Sequence, residues 1–216
     1  MALIQGEVGI SVNAPGSAPI IRALYSGEMG VADVHARYQE AQCRQNVYTL
    51  FSTAQNPTGA FPFAAAGTPL IAVYNPPTSG KHLVMLGVGL GVETTGTAAV
   101  ATTFGLTLTT VLVQGSGTKT VPTNMYTCVA SGSVATGYLN TALTSNTIQN
   151  AIFTLPLVSI GLTAATAVVN AMPAFYDLAG SVIVAPGNIL TLGVSATLTA
   201  AKVDSTFIWE EIPSAT

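Results

Sequence analysis

Histidine and aspartate are the side chains of this sequence that could form a hydrolytic site. The chain has 2 His, His35 and His82, and three Asp, Asp33, Asp177 and Asp204. A Ser-His-Asp site needs a carboxylate that orients the imidazole, and no Asp lies near His82 in the sequence. A solvated or hydrogen-bonded imidazole therefore explains both His better than a catalytic one. We predict no catalytic residue and no enzymatic activity.

Cys43 and Cys128 are the two cysteines of the chain. Two cysteines do not make a disulfide scaffold in a chain of this length. The simplest interpretation is two small buried hydrophobes, and a bridge between them stays open. No pair among these cysteines, His35 and His82 has the spacing of metal ligands. We predict no metal site and no cofactor.

Three glycines alternate in the sequence Gly-Val-Gly-Leu-Gly at 87–91. The spacing is not that of a dinucleotide-binding loop, and no amphipathic helix follows. Glycines within a strand instead allow a backbone or a bulky side chain to approach closely. The adjacent pair Glu210 and Glu211 points to opposite faces of a predicted strand, so it does not form a paired carboxylate site.

Charged residues are scarce. The chain of 216 residues has 6 basic and 9 acidic side chains, a net charge of -3, and 7% charged residues, against about a quarter in an average soluble protein. Binding to nucleic acid needs a basic surface, which this composition does not provide. The exterior must then consist of uncharged polar residues such as Thr, or be buried against other molecules, and we expect both.

The low charge raises the alternative of a membrane protein. Residues 151–172 contain no Asp, Glu, Lys or Arg and are long enough to span a bilayer. They nevertheless contain Pro156 and Asn170, and their β-branched, Thr-interrupted pattern favours strands. We therefore predict no membrane association. Residues 1–10 lack the cationic start of a secretory signal, so we expect synthesis in a cytoplasm.

The first third of the chain differs from the remainder. Residues 1–21 are neutral and predict an isolated strand or an arm, which needs a sheet edge for its backbone. Residues 30–48 contain acid-to-base pairs at i,i+4, which predict a short helix, with an extended arm as the alternative. Residues 51–69 are rich in Gly, Pro and Ala and predict a connector. We expect an amino-terminal arm, helix and connector at 1–66 and a body at 67–216.

The remainder of the chain reads as β-structure throughout. Short β-branched runs are separated by turn residues such as Pro186-Gly187-Asn188. No helical pattern follows Tyr48, so the sequence predicts an all-β fold, an antiparallel β-sandwich of jelly-roll type. The predicted strands are 70–74, 81–92, 106–113, 118–122, 126–131, 152–160, 181–185, 189–198 and 206–212.

Three segments carry a resemblance to a known group of proteins. They are the Arg/Tyr/Gln-rich segment at 37–50, the stretch Tyr74-Asn-Pro-Pro-Thr-Ser-Gly-Lys-His-Leu-Val-Met-Leu-Gly-Val, and Phe-Ile-Trp-Glu-Glu-Ile-Pro at 207–213. Over about 37–92 and 181–213 the chain resembles small structural proteins of tailed bacteriophages. The resemblance implies a virion component, either a head-decoration (cement) protein or a fibre-like appendage. It also implies a homotrimer that binds the major capsid protein or other virion proteins. It leaves the head or tail location open.

Two other functions are compatible with the sequence. In the first, the chain is a receptor- or carbohydrate-binding tail module, in which loop aromatics stack on sugars: Phe61, Phe63, Tyr138 and Tyr176. In the second, it is a hydrolase that uses Asp177 and a glutamate such as Glu93. The leading hypothesis remains a non-enzymatic, oligomeric decoration subunit that adheres through β surfaces and an amino-terminal arm.

Overall fold

A computed structural model describes residues 38–56, 58, 61, 68–94, 100–111, 118–139, 148–162, 174–198 and 200–214. The chain divides into two compact units, Met1–Gln39 and Glu40–Thr216. Apart from Tyr38 and Gln39, the described residues belong to the second unit. The predicted arm at 1–21 lies outside the described residues, and so do Asp33, His35 and Phe63.

Over these ranges, one short helix precedes eleven strands. The helix is α1 (Gln39–Cys43), and the strands are β1 (Val47–Gln55), β2 (Ile71–Tyr74), β3 (Lys81–Thr94), β4 (Val100–Val111), β5 (Lys119–Thr120), β6 (Thr123–Asn124), β7 (Thr136–Leu139), β8 (Ile148–Leu162), β9 (Ala174–Val184), β10 (Asn188–Val194) and β11 (Lys202–Pro213).

The described strands form two antiparallel sheets that pack against each other. Sheet 1 has the order β6-β1-β11-β3-β9, and sheet 2 has the order β5-β7-β2-β10-β4-β8. The predicted all-β sandwich is therefore confirmed. Its jelly-roll type remains a prediction. The long strands β1, β11, β3 and β9 lie in one sheet, and β2, β10, β4 and β8 lie in the other.

The core lies between the sheets and follows the alternation of the strands. In β11, buried and half-buried residues alternate from Lys202 to Glu211. Phe207 and Trp209 are fully buried, and Trp209 stacks on Tyr48 of β1 with 6.3 Å between the ring centroids. Burying one such aromatic side chain contributes roughly 4–6 kcal/mol before entropy is subtracted. Phe207 and Trp209, two residues apart, thus share the buried face of the last strand.

Sheet 2 is also buried on its outer face. Ala72, Tyr74, Tyr138 and Ile189 form a second buried cluster, and they alternate along β2 and β10 with residues of the main core. Strands buried on both sides contain nearly continuous apolar residues, as β2 does. On the outer face of sheet 1, by contrast, Phe51, Phe175 and Ile183 are exposed.

The segment 30–55 differs from the sequence-based prediction. Within its described part, the helix covers only Gln39–Cys43, and it ends where Gln45 adopts a φ of 60°. Residues Val47–Gln55, predicted as helix end and connector, form β1 and pair with β11. Tertiary pairing outweighs the local helix signal here, because Tyr48 and Leu50 find their buried partners only in the sheet. The predicted boundary at 66/67 remains a prediction.

Two further segments also differ from the predictions. Residues 126–131, predicted as a strand, form a loop, and β9 begins at Ala174 rather than near residue 181. The possible membrane segment at 151–172 begins as strand β8 (Ile148–Leu162). Across the described ranges, no helix combines the length and apolar character needed to cross a bilayer.

Asn75 fastens the two sheets together at the Asn-Pro-Pro-Thr-Ser-Gly-Lys turn. It follows β2 of sheet 2, and its buried Nδ2 donates to the carbonyl oxygens of Lys81 and Val184, each at 2.8 Å, in sheet 1. Its own backbone N–H donates to Asn188 O at 2.9 Å. The turn that carries the resemblance to phage proteins therefore has a structural role, since a buried amide satisfies carbonyl groups of both sheets.

We predict that Asn75→Ala lowers the free energy of unfolding by roughly 2–4 kcal/mol, because two carbonyl groups lose a buried donor. Urea denaturation followed by circular dichroism measures this change. Thr78→Ala is the matched control in the same turn, because Thr78 is exposed and its loss should cost less than about 0.5 kcal/mol. Equal stability of the two variants would contradict the assigned role of Asn75.

Candidate interaction surface

The outer face of sheet 1 combines open backbone with exposed aromatic rings. One cross-strand row runs across four strands from Phe51 through Thr206 and Gly89 to Phe175. The side chains of this row point away from the core, because their neighbours Leu50, Phe207 and Tyr176 point into it. None of the four residues in the row is ionisable.

The alternating glycines form the floor of this face. Gly87, Gly89 and Gly91 lie opposite Ile208, Thr206 and Asp204 of β11. The ring of Phe175 lies over Gly87, where a Cβ atom would overlap it. At Gly89 the nearest atom to an added Cβ is Thr206 Cβ at 3.4 Å, an ordinary contact. The prediction of a close approach at 87–91 is therefore confirmed at Gly87, while the rest of the floor is open.

Three apolar side chains are the most exposed on this face. Phe51 is 58% exposed, Phe175 is 64% exposed and Ile183 is 48% exposed. Scattered apolar residues are common on protein surfaces, but a contiguous apolar area indicates an interaction site. Since these side chains share one sheet face with uncharged Thr206 and the glycines, we regard this face as the candidate interaction surface.

The free edge of sheet 1 is blunted by a bulge in β9. Ala179 and Gly180 have φ values of 51° and 78°, and the pairing with β3 is interrupted between Asp177 and Val182. Asp177 Oδ1 accepts a hydrogen bond from Ala179 N at 2.8 Å, and Ser181 Oγ donates to Leu178 O at 2.7 Å. Bulges of this kind oppose strand addition at a sheet edge. The surface is therefore the face of the sheet and not its edge.

A buried carboxylate holds the loop beside this sheet. Glu211 of β11 is 1% exposed and accepts from Lys81 Nζ at 3.0 Å, Ser133 Oγ at 2.6 Å and Val134 N at 3.0 Å. A buried charge needs both a counter-ion and hydrogen bonds, and Glu211 has both. Glu210 and Glu211 do point to opposite faces, as predicted.

Asn124 organises the same loop at its other end. Its Oδ1 accepts from the backbone of Tyr126 at 3.0 Å and Thr127 at 3.1 Å, and its Nδ2 donates to Gln45 O at 2.7 Å. The loop consequently presents Tyr126 and Val129, which are 57% and 53% exposed, on a fixed backbone. Side-chain bonds of this type replace a sheet ladder in a turn.

The structure separates the residues that could have formed a chemical site. Cys43 and Cys128 are both exposed free thiols, so the interpretation as buried hydrophobes is wrong. His82 Nδ1 is buried, and within the described part of the chain it has no hydrogen-bond partner. Asp177 caps the β9 bulge. The described residues contain no group of three His, Cys, Asp or Glu side chains that could hold a metal ion.

The aromatic residues considered for sugar binding do not share a surface. Tyr138 is 1% exposed, Tyr176 packs against the main core, and the ring of Phe61 lies against Gly105 of β4. Tyr138 and Tyr176 lie in strands and not in loops. Sequence reasoning missed Phe51 and Phe175, because each lies next to another large apolar residue, Leu50 and Tyr176, and the sequence does not show which of the two points outward.

Comparisons with known proteins give little further information. No protein-family model and no curated protein matches the chain. A similar solved structure is a chain described as "KBV activated particle at acidic pH", with 11% sequence identity, 96% of this chain and 84% of that chain covered, and a TM-score of 0.26. A similarity at this TM-score carries no argument about fold or function.

We predict that Glu211→Gln releases the loop that Glu211 holds. Glutamine presents an NH2 group, which cannot accept a hydrogen bond, to donors that bond to the Glu211 carboxylate in the wild type. Amide exchange at Val134 and Ala135 should therefore accelerate at least about tenfold. Hydrogen exchange measured by NMR tests this. The matched control, Glu210→Gln, changes the preceding residue on the opposite face and should leave exchange at both amides unaltered. Unchanged exchange in Glu211→Gln would contradict this role.

Glu210 gives a pH-dependent prediction. Burial raises the pKa of its carboxyl group, while the Arg44 guanidinium opposes this rise. The folded state therefore favours the protonated carboxyl group. Protonated Glu210 adds to the free energy of unfolding below the ordinary pKa, and this contribution is lost as the pH rises through the raised pKa. We expect Glu210→Gln to be more stable than the wild type near pH 7 and equally stable near pH 4. Urea denaturation at both pH values measures the difference, and the opposite trend would refute it.

Proposed function

We propose that this protein is a non-enzymatic structural subunit of a bacteriophage virion, most consistent with an oligomeric capsid decoration or cement protein with a jelly-roll body. The observation that carries the proposal is the open, uncharged row of Phe51, Thr206, Gly89 and Phe175 across sheet 1. The chain would be synthesised in the host cytoplasm and incorporated into the particle.

Adhesion by area explains how such a surface could work. Interfaces of standard size need shape and apolar contact more than ion pairs. Sheet 1 supplies one face, and the loop held by Asn124 and Glu211 supplies the exposed side chains of Tyr126 and Val129 as a further point of contact. A loop that is ordered before binding loses less entropy on association. The partners would be copies of the chain, as a trimer by the resemblance, and the major capsid protein or another virion protein.

We propose no catalytic residue, cofactor or metal for this function. Asp177, a residue considered for hydrolysis, has a hydrogen bond that stabilises the β9 bulge. Glu93 is exposed near the end of β3. Tyr138 is buried and Tyr176 packs against the core, which gives no support for a carbohydrate site built on these rings, so the decoration role is preferred to the receptor-binding alternative. Direct binding to nucleic acid or membrane is not part of the proposal.

We predict that the chain is present in many copies in purified particles of the phage that encodes it. Mass spectrometry of gradient-purified virions measures the copy number relative to the major capsid protein, and gold-labelled antibodies show the location. Label over the head supports a decoration role, whereas label on the tail alone supports the fibre-like alternative. Absence of the chain from infectious, purified particles would refute the virion function. A lysate of cells that express the chain without phage is the control for antibody specificity.

A further inference from the structure

We propose that the outer face of sheet 1 binds the same face of a second copy of this chain. This inference deepens the proposed function, on which it rests, by naming one partner of the surface. The contact is face to face and two-fold symmetric, and the exposed ring of Phe51 in each copy packs on the glycine floor at Gly89 of the other.

The shape of the face provides both parts of this contact. Phe51 is 58% exposed on β1, and Gly89 lies in the same row two strands away, a separation of about 10 Å. Gly89 and Gly91 have no Cβ and no covering ring, unlike Gly87, which Phe175 covers. In a two-fold contact, each copy places its ring where the other has its floor. One surface therefore contains both the projecting ring and the site that receives it.

The area of the face matches the need of a stable pair. Four strands are about 19 Å wide, and the 9 residues of β1 are about 30 Å long, which gives roughly 600 Å² of planar area per copy. Two copies bury roughly 1,200 Å² of planar area, at the lower limit of specific interfaces, and accessible area exceeds planar area. A peptide would cover only part of this face. Covering the whole face requires another flat surface.

The charge distribution permits the two faces to approach. The ionisable side chains of the face flank its central row: Asp204 lies opposite Gly91 and Asp177 opposite Gly87, while Lys202, Glu93, Glu210 and His82 lie nearer the ends. One end has both signs in Lys202 and Asp204, and Glu210 at the other end interacts with Arg44. The uncharged centre costs little to desolvate, and mixed signs at the ends avoid a like-charge field between two identical faces.

Sedimentation of the full chain over a range of concentrations tests the inference. The wild type should form assemblies with an even number of chains, a dimer, or a hexamer if trimers pair through this face. Phe51→Lys should weaken the pairing at least about tenfold, because it places a charge at the centre of the contact. Phe153→Lys is the matched control: Phe153 is another exposed strand phenylalanine, in β8 of sheet 2, and its replacement should leave pairing unchanged.

A second variant reaches the receiving side of the contact without adding a charge. Gly89→Leu fills the floor and should also weaken pairing at least about tenfold, while circular dichroism verifies that each variant is folded. A wild type that stays monomeric or purely trimeric at all concentrations, or pairing that neither variant weakens, would overturn the inference. The particle experiment is independent of this one. A chain that is present in virions but does not pair would support the proposed function and contradict this contact. A chain that pairs but is missing from virions would support the contact and contradict the proposed function.

Discussion

The pairing of β11 on both of its sides is the constraint on which sheet 1 depends. β11 lies between β1 and β3. Tyr48 of β1 pairs with Trp209 of β11, although the two residues are far apart in the sequence. Without β11, β1 would have only the two-residue pairing with β6 on its other side, and the buried faces of Phe207 and Trp209 would be exposed. Contacts over such sequence distances make folding slow, because loop closure precedes the stabilising contacts.

This arrangement also explains why the two broad faces of the sandwich differ. Sheet 2 has apolar residues on both sides of β2 and β10, including the buried cluster of Ala72, Tyr74 and Ile189. Sheet 1 has one apolar side toward the core and, on the other side, threonine, glycine and a few exposed rings. The exposed apolar side chains of this face, Phe51, Phe175 and Ile183, are the feature on which the proposed contact rests.

The body of the fold could be predicted from alternation and turn residues, and the strands near 81–92, 152–160 and 206–212 are confirmed. Strand β1 could not be predicted. The helix signal of the residues before it and the Pro/Gly-rich stretch after it conceal its short alternation, and β11, the strand with which it pairs, is distant in the sequence. The glycines at 87–91 were correctly assigned to a strand, but only the structure shows that they share a row with Phe51 and Phe175. The role of Glu211 also required the structure, since its ligands Ser133 and Val134 come from a loop predicted partly as a strand.

The bulge in β9 has a consequence for how the protein accumulates. A sandwich with a bare, regular edge could lengthen its sheet by recruiting further chains without limit, which is the route to fibrils. The kink at Ala179 and Gly180 removes the straight ladder of donors and acceptors that this growth requires. At this edge of sheet 1, further chains therefore cannot add by regular strand pairing.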